Sequence, residues 1–134
     1  MDYTERTRRR LRRDTVGWFT TVNPKGRPIT LPVWFLWDGD SEILIYSLTN
    51  AARLRNIAAN PNVSFHLDGD HHGSEVVVVE GTASVDADRE AANENAAYLD
   101  RYRGYMNANG WTPQSFANKY SVAIRMSIDN VRAW

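Results

Sequence analysis

The chain has 134 residues, of which 43% are hydrophobic, enough for one domain with its own core. The 16 Lys and Arg residues balance 16 Asp and Glu residues, so no net charge draws the molecule to nucleic acid or membranes. Cysteine is absent, which excludes disulfides, iron–sulfur clusters and thiol catalysis and fits a reducing cytoplasm. The longest apolar run, LPVWFLW, is far shorter than a membrane span of roughly 20 residues, and no secretory signal is visible. We expect one cytoplasmic domain over residues 1–134.

The first predicted element is a basic segment, residues 1–14. Its stretch RTRRRLRR places six arginines between Arg6 and Arg13, with Leu11 as the one apolar residue among them. A single leucine does not provide the broad apolar stripe of a membrane-surface helix. We interpret the segment as a solvated helix or tail, with phosphate or RNA contact as the alternative. The balanced overall charge argues against nucleic-acid binding as the main role.

Antiparallel β-structure is predicted from residue 15 onwards. Runs of β-branched and aromatic residues alternate with turn-forming stretches such as NPKG and DGDS. The six predicted strands cover residues 15–22, 27–37, 42–49, 62–70, 75–85 and 121–134. Six short antiparallel strands with few helices suggest a mainly β fold, a small closed or partly closed barrel with peripheral helices.

Three helices are predicted between these strands. One follows the third strand, and two lie between the fifth and the sixth strand. Asn50 is the expected cap of a short helix that stops before Asn60-Pro61. Asp86 is expected to cap a longer helix that runs to about Arg103, and the apolar side of this helix should pack on the sheet. That side contains Ala91, Tyr98, Leu99, Tyr102 and Met106. The stretch WTPQSFANKY predicts a short helix over residues 111–120, with Thr112 as its cap and Pro113 at the first helical position.

The strand predicted over residues 27–37 is apolar on both faces. Side chains alternate along a strand, and between residues 29 and 37 all the odd positions and most even positions are apolar. One face can fill the barrel, whereas the other needs a helix, a second subunit or a flat ligand. Pro32 cannot donate to a strand ladder, so it belongs at an edge or a bulge, where backbone groups are free to bind a ligand.

The helix that follows Asn50 has the features of an anion site. Arg53 lies in its first turn, beside unpaired backbone amides, and Arg55 points in nearly the opposite direction. The helix dipole disfavours a cation at this end by roughly 0.3–1 kcal/mol, and a bound phosphate would remove the conflict. Asn56 shares the face of Arg53. A surface carboxylate paired with Arg53 is the alternative. The combination with the apolar strand predicts a ligand with a flat apolar head and an anionic tail.

The stretch HLDGDHHG contains five side chains that could bind a metal: His66, Asp68, Asp70, His71 and His72. A calcium loop that starts at Asp68 would need glutamate where the chain has Val79. Zinc would require histidines that converge from a hairpin turn. We interpret the stretch as a polar turn and predict no metal site.

Three stretches of the chain resemble one known family. GRPITLPVWFLWDGDSEILIYSLTNAARLRNIAANPNVSFHLDGD, VVVVEGTASV and the closing YSVAIRMSIDNVRAW are similar to pyridoxamine 5'-phosphate oxidase-like split-barrel proteins. More narrowly, they resemble the F420-dependent branch of flavin/deazaflavin oxidoreductases. The resemblance departs at two positions, because relatives often have lysine in place of Arg53 and some have a basic residue in place of Ala51. The C-terminal segment has no histidine, which argues against pyridoxamine-phosphate oxidase activity itself.

The resemblance implies a homodimer of six-stranded split barrels of the FMN-binding type, with the cofactor at the subunit interface. The cofactor ring would lie along the strand around Pro32, and its phosphate would lie at the helix start around Arg53. The residues that the resemblance assigns to cofactor binding are Thr30, Leu31, Pro32, Val33, Trp34, Ser47, Leu48, Ala52, Arg53 and Asn56. His66 of the second subunit is expected at the edge of the same site.

The resemblance also implies an activity. We expect an F420-dependent oxidoreductase that transfers a hydride between the deazaflavin and a small conjugated acceptor. FMN would suit the same groove. Because the cofactor supplies the redox chemistry, no catalytic side chain is expected. The alternative from another class is non-enzymatic binding or storage of a flavin, a deazaflavin or haem.

Overall fold

The computed structural model describes residues 2–134 as one seven-stranded antiparallel sheet with four α-helices. The strands are β1 (Val16–Val22), β2 (Pro28–Trp34), β3 (Leu36–Trp37), β4 (Glu42–Ser47), β5 (Asn62–His66), β6 (Val77–Val85) and β7 (Val122–Ala133). The helices are α1 (Glu5–Arg13), α2 (Ala52–Ala59), α3 (Ala96–Ala108) and α4 (Pro113–Lys119). A single 3-10 turn, Ala92–Glu94, precedes α3. Within residues 2–134, no helix has the length and apolar character needed to cross a membrane.

The sheet is curled so that its two edges meet. Its strand order is β2-β1-β5-β6-β7-β4-β3, which places β2 and β3 at opposite edges. Only Phe35 separates these two strands in the chain. Because one residue spans at most about 3.5 Å, the two edges must lie side by side at Phe35. The sheet is therefore an almost closed half-barrel, which confirms the mainly β antiparallel prediction.

The prediction of six strands is wrong by one, because the apolar run over residues 27–37 forms two strands. The break at Phe35 is held by the Tyr102 hydroxyl of α3, which accepts a hydrogen bond from the Phe35 amide at 2.8 Å. The same hydroxyl lies 2.6 Å from the Phe35 carbonyl oxygen and 2.8 Å from that of Thr15. A side chain 67 residues away thus satisfies backbone groups that have left the ladder, and the local pattern contains no sign of it.

Two apolar clusters lie on the two sides of the sheet, and β4 contributes to both. Ile43 and Ile45 point into the curl, whereas Leu44 and Tyr46 point outward under α3 and α4. The inner cluster also contains Leu11, Phe19, Val33, Phe35, Trp37, Ile57, Val63, Phe65, Leu67, Val77, Val79, Ala83, Ile124, Met126 and Ile128. The outer cluster also contains Ala92, Tyr98, Leu99, Tyr102, Met106, Phe116, Ala117 and Ala123. Trp34 and Leu36 pack against this outer cluster. Helices therefore cover part of the second apolar face that the sequence predicts for residues 27–37.

The two helices of the outer layer differ in how well the sequence predicts their starts. Thr112 caps α4 as expected, with Pro113 at the first position and Ser115 completing a capping box. The predicted cap at Asp86 is wrong, because Asn95 caps α3. Asp86 instead pairs with Arg89 and accepts the amide of Asp88 within a turn. The apolar side of the helix is confirmed for its four buried members, Tyr98, Leu99, Tyr102 and Met106, whereas Ala91 is exposed and lies before the helix.

Helix α1 is packed against the barrel, in contrast to the solvated segment expected. Leu11 is fully buried, and Arg10 is buried with it. The Arg10 guanidinium pairs with Asp14 at 2.8 Å and donates to the backbone carbonyls of Glu75 and Asp68. The arginines at positions 6, 8, 12 and 13 also have partners: Glu75, the ring of Tyr3, the ring of Trp37 and Asp14.

The stretch HLDGDHHG forms a polar turn between β5 and β6. Asp70 Oδ1 accepts hydrogen bonds from the backbone amides of His72 and Ser74, at 2.8 Å and 3.0 Å. These bonds lower the pKa of Asp70 below its ordinary value. Within residues 2–134, no three His, Cys, Asp or Glu side chains converge on a point that could hold a metal ion.

Candidate functional site

A cavity of about 450 Å³ lies between the ends of β2 and β4, the start of α2, and the helices α3 and α4. Its volume falls within the roughly 300–1,000 Å³ of small-molecule sites. Six of the 14 residues that line it are aromatic, and Arg53 is the one charged residue among them. The lining consists of Val16, Pro32, Val33, Trp34, Tyr46, Ser47, Leu48, Ala51, Arg53, Tyr98, Asn109, Trp111, Phe116 and Tyr120.

Arg53 projects from the first turn of α2 into this cavity. It is half-buried, and it forms no ion pair with any carboxylate of residues 2–134. The alternative of a surface carboxylate partner is therefore wrong for the described chain. Burial lowers the pKa of Arg53, and the nearby Tyr120 phenol opposes this shift. The guanidinium stays charged at physiological pH, so it lies in the cavity wall as an uncompensated cation.

The start of α2 lacks a side-chain cap. Ala51 occupies the cap position, and its carbonyl accepts the amide of Leu54 at 3.1 Å. The expected cap at Asn50 is wrong, because Asn50 lies in the preceding turn and its exposed side chain makes no capping bond. No acidic residue is present in the first turn. The amides of this turn therefore add to the positive potential around Arg53 rather than being neutralised by the chain itself.

The other polar residues of α2 point away from the cavity. Arg55 is exposed on the opposite side of the helix, as its spacing from Arg53 predicts. Asn56 is buried, and its Nδ2 donates to Thr21 Oγ1 of β1 at 3.0 Å. Asn56 thus ties α2 to the barrel and is absent from the cavity lining.

Trp34 is one of the two inner members of a column of four stacked rings, in the order Tyr102, Trp34, Phe116 and Tyr120. Its indole lies 4.8 Å from the ring of Tyr102, with an interplanar angle of 10°. It also lies 5.4 Å from the ring of Phe116 at 18°, and Phe116 stacks on Tyr120 at 4.5 Å and 17°. Two neighbouring rings therefore occupy the positions on which a planar ligand would stack against the indole. We conclude that Trp34 offers the cavity an edge rather than a face.

Six of the residues assigned to cofactor binding line the cavity: Pro32, Val33, Trp34, Ser47, Leu48 and Arg53. Pro32 lies in the edge strand β2, where its missing amide costs no bond within the sheet. The structure places Thr30, Leu31, Ala52, Asn56 and His66 outside the lining. The hydroxyl of Thr30 pairs with that of Thr20 at 2.7 Å, and the imidazole of His66 stacks on Trp18.

The sequence interpretation did not include the helical half of the cavity. Tyr98, Asn109, Trp111, Phe116 and Tyr120 come from α3, α4 and their connection. The helical spacing of Tyr98 predicts burial, and the aromatic residues WTPQSFANKY are an available signal for an aromatic wall. Neither pattern indicates that these residues face Arg53, which lies at least 45 positions earlier in the chain.

The fold and the cavity together define the class: a mainly β split barrel with a small-molecule cavity beside its edge strand. The profile of the family described as pyridoxamine 5'-phosphate oxidase matches residues 3–134. The chain therefore belongs to the pyridoxamine 5'-phosphate oxidase-like split-barrel family. No curated protein matches the sequence.

Solved structures confirm the split-barrel fold. The conserved hypothetical protein Rv2991 from Mycobacterium tuberculosis is 25% identical, with a TM-score of 0.76 over 100% of this chain and 86% of the other. An F420 reductase is 26% identical, with a TM-score of 0.68 over 91% of this chain and 92% of the other. HutZ, a haem storage protein from Vibrio cholerae, is 14% identical, with a TM-score of 0.64 over 96% and 93% of the two chains, a likeness of fold alone. The fold thus occurs in proteins named for catalysis and for storage.

Proposed function

We propose that this protein binds coenzyme F420 in the cavity and acts as an oxidoreductase that reduces a small conjugated acceptor. The observation that carries the proposal is Arg53, a half-buried cation without a carboxylate partner among residues 2–134, at an uncapped helix start. The likeness to an F420 reductase supports the choice of coenzyme. FMN is the alternative, because it also joins a flat ring to a phosphate.

The residues present fit such a coenzyme. A phosphate would be held by the Arg53 guanidinium and the first amides of α2, which supply charge-assisted hydrogen bonds. A flat ring would find apolar walls from Pro32, Leu48 and the aromatic residues of α3 and α4. When bound, the coenzyme supplies the hydride chemistry. The chain binds it, orients it and excludes water, so no nucleophile or catalytic triad is required.

We also propose a homodimer, with the coenzyme close to the subunit interface. Strand β2 is one of the two edge strands of the sheet, and its residues from Pro28 to Pro32 are largely uncovered. Leu31 is 49% exposed there. A second subunit on this edge would cover that apolar surface, and we propose that it adds the partner's His66 to the edge of the cofactor site.

Titration of the purified protein with F420 and with FMN tests the proposal. We expect one coenzyme to bind, and Arg53→Ala to weaken that binding by about 10- to 100-fold, because a charge-assisted bond is lost. Arg53→Lys should lose less, since it keeps the charge but not the planar fork. Arg55→Ala is the matched control, with the same charge change on the exposed side of α2. Equal affinities of the Arg53→Ala and Arg55→Ala variants would contradict the proposal.

Turnover distinguishes catalysis from storage. The reduced coenzyme is mixed with the protein and with nitroaromatic or quinone acceptors, and its absorbance is followed. Oxidation that depends on both protein and acceptor supports an oxidoreductase. Tight binding without oxidation of the coenzyme would instead indicate a binding or storage protein.

A further inference from the structure

The cavity wall contains a second polar side chain that the chain itself leaves unused, Tyr120. This tyrosine follows the last residue of α4 and lines the cavity together with Arg53. Its hydroxyl forms no hydrogen bond with any of residues 2–134, and its oxygen keeps accessible surface because the side chain is only half-buried. The Tyr98 hydroxyl also lacks a partner, but it is fully enclosed. Of these two free phenols, only that of Tyr120 is open to a ligand.

The sheet brings Tyr120 to the start of α2. Ser47, the last residue of β4, pairs with Val122, the first residue of β7. Residues paired in an antiparallel ladder lie about 5 Å apart between Cα atoms. Tyr120 enters the ladder at this pair, and the chain leaves it here towards Arg53. The phenol lies close enough to Arg53 to oppose the fall in its pKa that burial causes.

The orientation of Tyr120 is fixed by its ring and not by its hydroxyl. The ring stacks on Phe116 at 4.5 Å, with an interplanar angle of 17°. Trp111 lies edge-on beside it, at 5.9 Å and 76°. A phenylalanine at position 120 would make the same ring contacts. The oxygen therefore adds nothing to the packing of α4, while the packing holds it in place for a ligand.

The chemistry of the pair suits a phosphate. The Arg53 guanidinium is a planar fork that binds two oxygens of an anion in one plane. A phosphate group is tetrahedral, so it presents further acceptor positions outside that plane. A phenol supplies one O–H donor. No carboxylate lines the cavity to repel the anion.

We propose that Tyr120 is a second anion-binding residue, whose hydroxyl donates a hydrogen bond to a phosphoryl oxygen of the ligand that Arg53 holds. This inference rests on the proposed function, because it concerns the phosphate of the bound coenzyme. It adds a neutral donor to the cation, and it makes recognition of the phosphate depend on two segments that lie 67 positions apart in the chain.

The test compares Tyr120→Phe with Tyr105→Phe, the same change at an exposed tyrosine outside the cavity lining. Affinity is measured for the coenzyme that the wild type binds and for its phosphate-free counterpart, which is riboflavin for FMN or the ring-ribityl part of F420. For Tyr120→Phe we expect about a tenfold loss of affinity for the coenzyme and none for the phosphate-free compound. The Tm of the free protein should not change, because the hydroxyl has no partner among residues 2–134. Tyr105→Phe should alter none of these values.

The outcomes that overturn the inference are distinguishable. If the wild type binds neither F420 nor FMN, the proposed function fails and the Tyr120 inference fails with it. If the wild type binds a coenzyme and Tyr120→Phe binds it equally well, the Tyr120 inference fails alone. An equal loss for the coenzyme and for the phosphate-free compound would show that the hydroxyl does not act on the phosphate. A lower Tm of free Tyr120→Phe would show that its role is structural.

Discussion

At the scale of single residues, two glycines should respond in opposite ways to the same substitution. A Cβ at Gly17 would overlap the ring of the fully buried Phe65, whereas a Cβ at Gly104 meets nothing within 4 Å. We expect Gly17→Ala to lower the free energy of unfolding by about 1–3 kcal/mol through overpacking. Gly104→Ala should raise it by about 0.5–1 kcal/mol, because alanine favours the helix. Urea denaturation measures both values, and a loss at Gly104 would contradict the helical assignment of α3.

A second prediction at this scale concerns the hydroxyl that holds the strand break. Tyr102→Phe leaves the buried amide of Phe35 without its acceptor, so we expect a loss of about 1–3 kcal/mol in the free energy of unfolding. Burial raises the pKa of Tyr102 to about 12, so the wild-type hydroxyl remains protonated at neutral and moderately alkaline pH. Tyr105→Phe is the control, since that tyrosine is exposed on the same helix. Equal stability of the two variants would show that the break does not need the hydroxyl.

At the scale of elements, we predict that Arg10 anchors α1 to the barrel. The Arg10 side chain joins Asp14 to the backbone of Glu75 and Asp68, and it is buried. Arg10→Ala would leave these carbonyls without their buried donor and would leave Asp14 with only the exposed Arg13 as a partner, at a cost of about 3 kcal/mol. Arg9→Ala, on the exposed side of the helix, should change stability by less than about 0.5 kcal/mol. Hydrogen exchange of the α1 amides would report the loosening, and equal exchange in both variants would contradict the anchor.

The turn between β5 and β6 should respond to acid. Hydrogen bonds from the amides of His72 and Ser74 lower the pKa of Asp70 below its ordinary value of 3.8. A carboxyl whose folded-state pKa is depressed stabilises the turn above the ordinary value and loses this effect as the pH falls through the folded value. We therefore expect the protection of these two amides to decline below pH 3.8. Asp70→Asn keeps an acceptor oxygen without the charge, so its protection should not change with pH in that range.

At the scale of the whole molecule, the uncovered edge of the sheet predicts self-association. Leu31 on β2 and Val85 at the end of β6 are both 49% exposed, but only the first lies on the edge that we propose as the subunit interface. Leu31→Asp should convert dimers to monomers, because the interface would have to bury a charge. Val85→Asp should leave the oligomeric state unchanged. Sedimentation equilibrium measures the oligomeric state of the wild type and of both variants. A monomeric wild type would contradict the proposed dimer.

Much of the fold is predictable from short stretches of sequence. The period of apolar residues places the strands within a few residues, and Thr112-Pro113 marks the start of α4 because a cap is a local interaction. The errors have non-local causes. Phe35 leaves the ladder because a tyrosine from α3 binds its backbone, and Arg10 is buried because the ends of β5 and β6 supply its acceptors.

Some features of the candidate site are likewise predictable from local sequence, whereas others depend on contacts between distant segments. Arg53, its position in the first turn of a helix and the proline in the neighbouring strand are visible in the sequence, since each depends on residues close together in the chain. The tertiary structure alone decided that α3 and α4 close the cavity, that both faces of Trp34 are occupied, and that the Tyr98 hydroxyl has no partner among residues 2–134. These properties arise where distant segments pack together, and local periodicity carries no information on which distant side chains meet.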